Sequence, residues 1–206
     1  MRTLVLASAS PARKALLISA GITPYVQVSD VDEPALQAQL LAGGVLDPAG
    51  LCQELAVAKA RSTAAGVRSS HPGALVVGCD SVLDLDGRAW GKPADGTEVL
   101  TRWSAMAGRS GVLRTGHHVV DLATGAEVGA TASTVVRFGR PDPAELAAYV
   151  ASGEPLRVAG AFTLDGLGAA FVDGVDGDPS NVVGLSLPTL RGLLSRLGVR
   201  WTDLWS

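Results

Sequence analysis

Apolar and polar positions along this chain switch between two periods. Leu4-Val5-Leu6 is fully apolar and gives way to Ala7-Ser8-Ala9-Ser10-Pro11. That pattern predicts a buried strand over 3–7 and a helix over 11–20. Ser10 suits the N-cap, Pro11 the first helical position and Gly21 the stop. Val26 to Val31 alternates like a strand and runs into Asp32-Glu33-Pro34. Asp47-Pro48 opens a helix to about Ser62, with Leu51, Leu55 and Ala58 on one face. Ala74 to Leu85 reads as a strand, and Asp86-Gly87 as a hairpin turn into Arg88–Trp90. Asp95 caps a helix that ends near Gly108. Val112–Leu122 and Ala130–Phe138 read as paired strands joined through Ala123-Thr124-Gly125. Asp142-Pro143-Ala144-Glu145 is a capping box for a helix to about Ser152. A glycine-rich strand pair over 160–176 precedes a loop, 177–181, and a last helix over about 187–197 stops at Gly198.

Strands and helices interleave, but hairpins are frequent. The expected fold is therefore mixed α/β, a twisted mixed sheet with flanking helices. No repeat, low-complexity tract or long linker interrupts the pattern. One domain over 1–206 is expected, with any two lobes built from one continuous chain.

Composition narrows the function. Of 206 residues 47% are hydrophobic and mean hydropathy is +0.28, so a large core is expected. No apolar run reaches the ~20 residues of a membrane span, and the N-terminus lacks the order of a secretory signal. The two cysteines, Cys52 and Cys79, suit free thiols in a reducing cytoplasm. A net charge of −3 argues against nucleic acid as the main partner. Seventeen residues are Lys or Arg, yet only Lys14, Lys59 and Lys92 are lysines. Positions that keep lysine are candidates for a compact ammonium instead of a planar guanidinium.

Several stretches carry candidate chemistry. A helix N-terminus offers unpaired N–H groups and partial positive charge. Small residues before it admit an anion closely. Ser8 and Ser10 can donate to phosphate oxygens, and Arg13 and Lys14 add full charges in a turn where cations do not favour the helix itself. The stretch reads as a phosphate cradle or, more plainly, as a Ser-Pro helix start with two solvated cations. It is not a Walker loop. Asp80, after the apolar run Val76-Val77, is a carboxylate that needs a partner, a metal or a task. Strand alternation puts Asp84 on its face but about 13 Å away at roughly 3.3 Å per residue. Asp84 is therefore expected in solvent near the hairpin. Gly91 and Pro93 hold Lys92 on a short tether. Lys59 lies late on a helix, where a cation also suits the dipole. Asp32-Glu33 is either an acidic helix start or a second carboxylate source for a divalent ion on phosphates. His117-His118 has no ligand partners at metal spacing and is expected in or beside a strand.

Together these residues resemble the Maf family. Ser8-Ala9-Ser10-Pro11-Ala12-Arg13, Val31-Asp32-Glu33, Leu55 to Ala60, Gly78-Cys79-Asp80-Ser81-Val82 and Gly91-Lys92-Pro93 follow the family's order. So do Tyr149 through Pro155, Ala159-Gly160-Ala161-Phe162 and Ser180 to Leu185. The likeness spans nearly the whole chain. It implies a two-lobed α/β fold of the inosine-triphosphatase-like kind, often a homodimer, with a nucleotide in the central cleft. The family, first named for effects on septum formation, resembles nucleoside triphosphate pyrophosphatases, which implies a divalent cofactor, Mg²⁺ or Mn²⁺. The resemblance makes Asp80 the proton acceptor and puts Glu33 near metal and phosphates. It places Ser8, Arg13, Lys59 and Lys92 on the triphosphate. Ala12, Ser81 and Asp165 stand at positions that resemble base-selecting ones and depart from the usual residues. An acidic Asp165 could accept from a guanine N1–H and amino group, which tilts the expectation toward a purine. A non-catalytic nucleotide-binding regulator is the competing reading.

Overall fold

The computed structural model describes residues 2–43 and 47–206. Among them, seven strands form one mixed sheet in the order β2-β1-β3-β5-β6-β7, with β4 paired to β3 off that path. The strands are β1 (Leu4–Leu6), β2 (Tyr25–Val26), β3 (Leu75–Leu85), β4 (Arg88–Trp90), β5 (Ser110–Asp121), β6 (Glu127–Phe138) and β7 (Val172–Asp176). β1 runs parallel to β2 and β3, and the other pairs are antiparallel. The helices are α1 (Pro11–Ser19), α2 (Glu33–Ala42), α3 (Pro48–Val67), α4 (Gly96–Met106), α5 (Pro143–Ala151), α6 (Pro179–Val183) and α7 (Leu187–Arg196). The expected mixed α/β fold is the fold observed.

Alternation along β3 sorts the core onto two faces. Leu75, Val77 and Cys79 pack with Leu17 of α1 and with Leu190 and Leu194 of α7. Val76 packs with Ala60 and Ala64 of α3. A separate core around Leu83, Trp103, Phe138 and Tyr149 fills the far half of the sheet, under α4 and α5. The helix α3 lies very close to the strands. A Cβ on Gly78 would meet Ala56 O at 2.4 Å, and one on Gly116 would meet Cys52 O at 2.3 Å. Glycine is required at both positions for this approach.

Strand lengths leave one edge of β3 partly unpaired. β3 spans eleven residues, but β1 stops pairing at Leu6 opposite Val77. On the same edge of β3, β4 pairs only from Leu83. The stretch Cys79–Val82 thus runs along an open notch, with the Ser8–Ser10 loop and α1 at one end and β4 at the other.

Several expectations change. The strand over Val26–Val31 shrinks to Tyr25–Val26, because β1 ends at Leu6 and offers nothing further to pair with. Asp32 caps α2, as the helix-start reading expects, its Oδ1 accepting from Ala35 N at 3.0 Å, and α3 continues past Ser62 to Val67. The glycine-rich strand pair is half correct. Only Val172–Asp176 is a strand, while Pro155–Phe171 is mostly 3₁₀ turns organised by Glu154, whose carboxylate accepts from Thr163 Oγ1, Leu167 N and Gly168 N. The 177–181 loop gives way to the short helix α6. Asp84 is not solvated. Arg114 Nε donates to its Oδ2 at 2.8 Å, and only 11% of its side chain is exposed.

Candidate active site

Asp80 follows Gly78 on the α3 face of β3, and Lys59 comes down from α3 to meet it. Lys59 Nζ stands 2.6 Å from Asp80 Oδ1 and 2.8 Å from Glu33 Oε2. Three segments far apart in sequence therefore meet on one ammonium. Its side chain is 7% exposed and that of Asp80 13%, so water screens the contact weakly. Burial pushes the Asp80 carboxyl above the usual aspartate range, Lys59 and Arg13 pull it back, and Glu33 adds a smaller upward push. Asp80 Oδ2 accepts from no described residue. Asp32 caps α2, as the helix-start reading expects, and Glu33, its first residue, turns to Lys59.

On the opposite face Arg13 fills the notch. Its Nη1 donates to Ser8 Oγ at 3.1 Å and to Cys79 O at 2.9 Å. Nη2 donates to Ser81 Oγ at 3.0 Å and Nε to Gly184 O at 2.7 Å. The Cys79 carbonyl lies on the unpaired edge of β3 and would otherwise lack a partner. Ser81 continues to Thr115, the two hydroxyls 2.9 Å apart, and Thr115 Oγ1 donates to Asn181 O at 3.3 Å. Ser10 Oγ accepts from Arg13 N at 3.3 Å as the cap of α1, and Ser8 Oγ accepts from Ser10 N at 3.2 Å. Ser8, Ser10, Arg13 and Ser81 are thus drawn together, and Lys14 is exposed on the outer side of α1.

Lys92 and Asp165 stand apart from these contacts. Both are exposed, and neither side chain bonds a described residue. β4 runs back along β3 toward the notch, and Lys92 lies two residues beyond the Leu83–Trp90 pair. Asp165 sits in the turn before Leu167–Phe171.

The parts played by Thr115, Asn181 and Gly184 are visible only once β3, β5 and α6 are side by side. His117 is buried in β5, as expected of a strand histidine. Its Nε2 accepts from Ser186 N at 2.8 Å, with Nδ1 3.0 Å from Thr115 O. Burial first, and then Arg13, holds its pKa down at about 4. It fastens the 181–186 segment, which anchors Arg13, to the sheet. Cys52 and Cys79 are free and buried, and burial pushes the Cys79 thiol up to about 11.

The model of the Maf-like protein family matches residues 3–197. The chain belongs to the Maf family. A protein of Streptomyces coelicolor named nucleoside triphosphate pyrophosphatase is 59% identical over 205 residues, covering 100% of this chain and 95% of its own length. Proteins of the same name from Nocardia farcinica and Salinispora tropica are 53% and 52% identical, each covering 98% of this chain and 96% and 87% of their own lengths. Every segment that forms the notch, from Ser8 to Gly184, lies within the residues that the family model matches.

Proposed function

We propose that this Maf-family chain, acting as one domain, is a nucleoside triphosphate pyrophosphatase. It splits the α–β phosphoanhydride to release the monophosphate and pyrophosphate. The observation that carries the reading is the triad of Lys59, Asp80 and Glu33, set beside the Arg13 fork at one open notch. The shared name of relatives that match over nearly the full length supports it.

Asp80 and Glu33 are hard oxygen donors brought to one nitrogen. Among the described residues no group of three or more His, Cys, Asp or Glu could hold a metal. Such a donor set fits an ion that takes one or two carboxylates and fills its shell with phosphate oxygens and water, as Mg²⁺ or Mn²⁺ does. When bound there, the ion supplies charge neutralisation on the phosphates. The chain's own part follows from the geometry. Asp80 takes a proton from the attacking water as its oxygen bonds to the α-phosphorus. The bond to the β-phosphate breaks and its electrons leave with pyrophosphate. A raised Asp80 pKa makes it a better proton acceptor than an exposed aspartate. Lys59, Lys92 and Arg13 offset charge on the leaving group, and Ser8, Ser10 and Ser81 offer hydroxyl donors.

Asp165 would accept from a guanine-type edge, which favours a purine, including modified ones. The substrate and the two free thiols suit the cytoplasm, and the family likeness suggests a homodimer, which light scattering would test. The deciding experiment is a nucleotide panel with Mg²⁺ or Mn²⁺, reading products by chromatography, with Asp80→Asn in parallel. Pyrophosphate release lost in the variant is the expected result. Orthophosphate alone would make the protein a phosphatase. No turnover on any nucleotide by folded protein would favour the non-catalytic binding reading.

A further inference from the structure

We propose that Arg102 is a positioning residue that sets Lys92 in place through the backbone of the Gly91–Ala94 loop. The proposal rests on the reading of Lys92 as a phosphate-binding cation. Lys92 itself is exposed and has no side-chain partner among the described residues, so its placement depends on its main chain. That main chain is clamped from α4. Arg102 Nη1 donates to Gly91 O and Nη2 to Lys92 O, the latter at 3.5 Å. Glu98, one turn earlier on α4, accepts from Ala94 N at 2.7 Å. The two side chains also bind each other, with Arg102 Nη2 2.6 Å from Glu98 Oε1. Three backbone groups around Lys92 are thus held by one ion pair.

An ion pair four residues apart on a helix is ordinarily a solvated surface feature of small worth. Here the arginine side chain is only 11% exposed and its guanidinium lies 5.5 Å from the Trp90 ring centroid. Gly160 N donates to the same Gly91 carbonyl at 3.1 Å. The base of the clamp is rigid, because Val99, Trp103 and Met106 of α4 are core residues and Trp103 Nε1 donates to Ala161 O at 2.9 Å. The Ala94 N–H first, and then Arg102, holds the Glu98 carboxyl below its usual range, so the pair stays charged at neutral pH. A lysine at 102 could not serve Glu98 and two carbonyls at once, since it lacks the planar fork.

The test is a kinetic cycle on the full chain with Arg102→Lys, Glu98→Gln and Lys92→Ala, singly and with each of the first two combined with the third. Arg102→Lys should raise KM for the nucleotide about tenfold, the scale of one charged hydrogen bond, with little change in kcat. In the Lys92→Ala background the same substitution should add almost nothing, since the group it positions is gone. Full additivity would overturn the proposal while leaving Lys92 as a phosphate ligand. A wild-type KM for Lys92→Ala would overturn the reading of Lys92 itself, and the proposal with it. Should Arg102→Lys fail to fold, the Glu98→Gln arm carries the same cycle.

Discussion

Asp80 and Ser81 are consecutive in sequence, yet their partners lie on opposite faces of the sheet: Lys59 of α3 for Asp80 and Arg13 of α1 for Ser81. The pleat of a strand makes this unavoidable. The site therefore has a carboxylate side and a guanidinium side that share a backbone but no side-chain hydrogen bond, coupled only through the charge of Arg13 acting on Asp80, and substitutions should largely separate them.

On the carboxylate side, the Asp80 pKa should move in opposite directions in two variants. In metal-free protein a carboxylate NMR titration should place Asp80 above an ordinary aspartate, because burial penalises its charge. Lys59→Met removes the chief opposing charge and should raise it further. Glu33→Gln removes a like charge and should lower it. For folding the sign is that of a cost: the contribution is present below the ordinary aspartate pKa and lost as pH rises through the raised one. Shifts of the same sign in both variants would contradict this electrostatic account.

On the guanidinium side, Arg13→Lys should weaken nucleotide binding with the fold intact. A single ammonium cannot replace a fork that serves Ser8, Cys79 O, Ser81 and Gly184 O together. KM should rise about tenfold or more. An unchanged KM measured over the same substrate range would remove Arg13 from the binding surface.

His117 should give the protein an acid-labile component. Its pKa falls from 6.5 to about 4 in the fold, so the folded state binds fewer protons than the unfolded one. The stability it lends is present above the unfolded pKa and is lost as pH drops from 6.5 toward 4. Denaturant unfolding across that window should flatten in His117→Gln. An identical slope in the variant would assign the lability to other groups.

Gly78→Ala tests the approach of α3 to the sheet. The added methyl would lie 2.4 Å from Ala56 O and 2.7 Å from Ala60 N, both backbone atoms that cannot swing aside. A loss of about 3 kcal/mol or more is expected in urea unfolding. Turnover should fall more than stability alone requires, because the same helix carries Lys59. A near-neutral result would mean that α3 shifts outward at little cost.

Much of this was legible in the sequence because the signals were local. Ser10-Pro11, Asp47-Pro48 and the Asp142–Glu145 box announce helices by chemistry that needs no tertiary context, and all three caps form. A carboxylate after an apolar run marks Asp80, and the scarcity of lysine marks Lys59. The failures share a different cause. The start of α2 was legible at Asp32-Glu33, but no side chain of α2 is buried, and no strong apolar stripe marks its extent. The partner of Asp84 is Arg114, thirty positions away on the next strand. Arg102 and Glu98 look like a surface pair until the Gly91–Ala94 loop is laid against them. The turns of Pro155–Phe171 depend on Glu154 collecting three donors, which small residues and glycines do not advertise.

The bond from Arg13 to Gly184 joins residues 171 positions apart. On a ribosome the chain emerges from its N-terminus, and early segments begin to fold before later ones exist. Lys59, Asp80 and Lys92 would all be outside the tunnel while Arg13 still lacked the carbonyl that aims it. A product cut short before residue 184 would keep Asp80, Lys59 and Lys92. The Arg13 guanidinium would be left without the carbonyl that orients it.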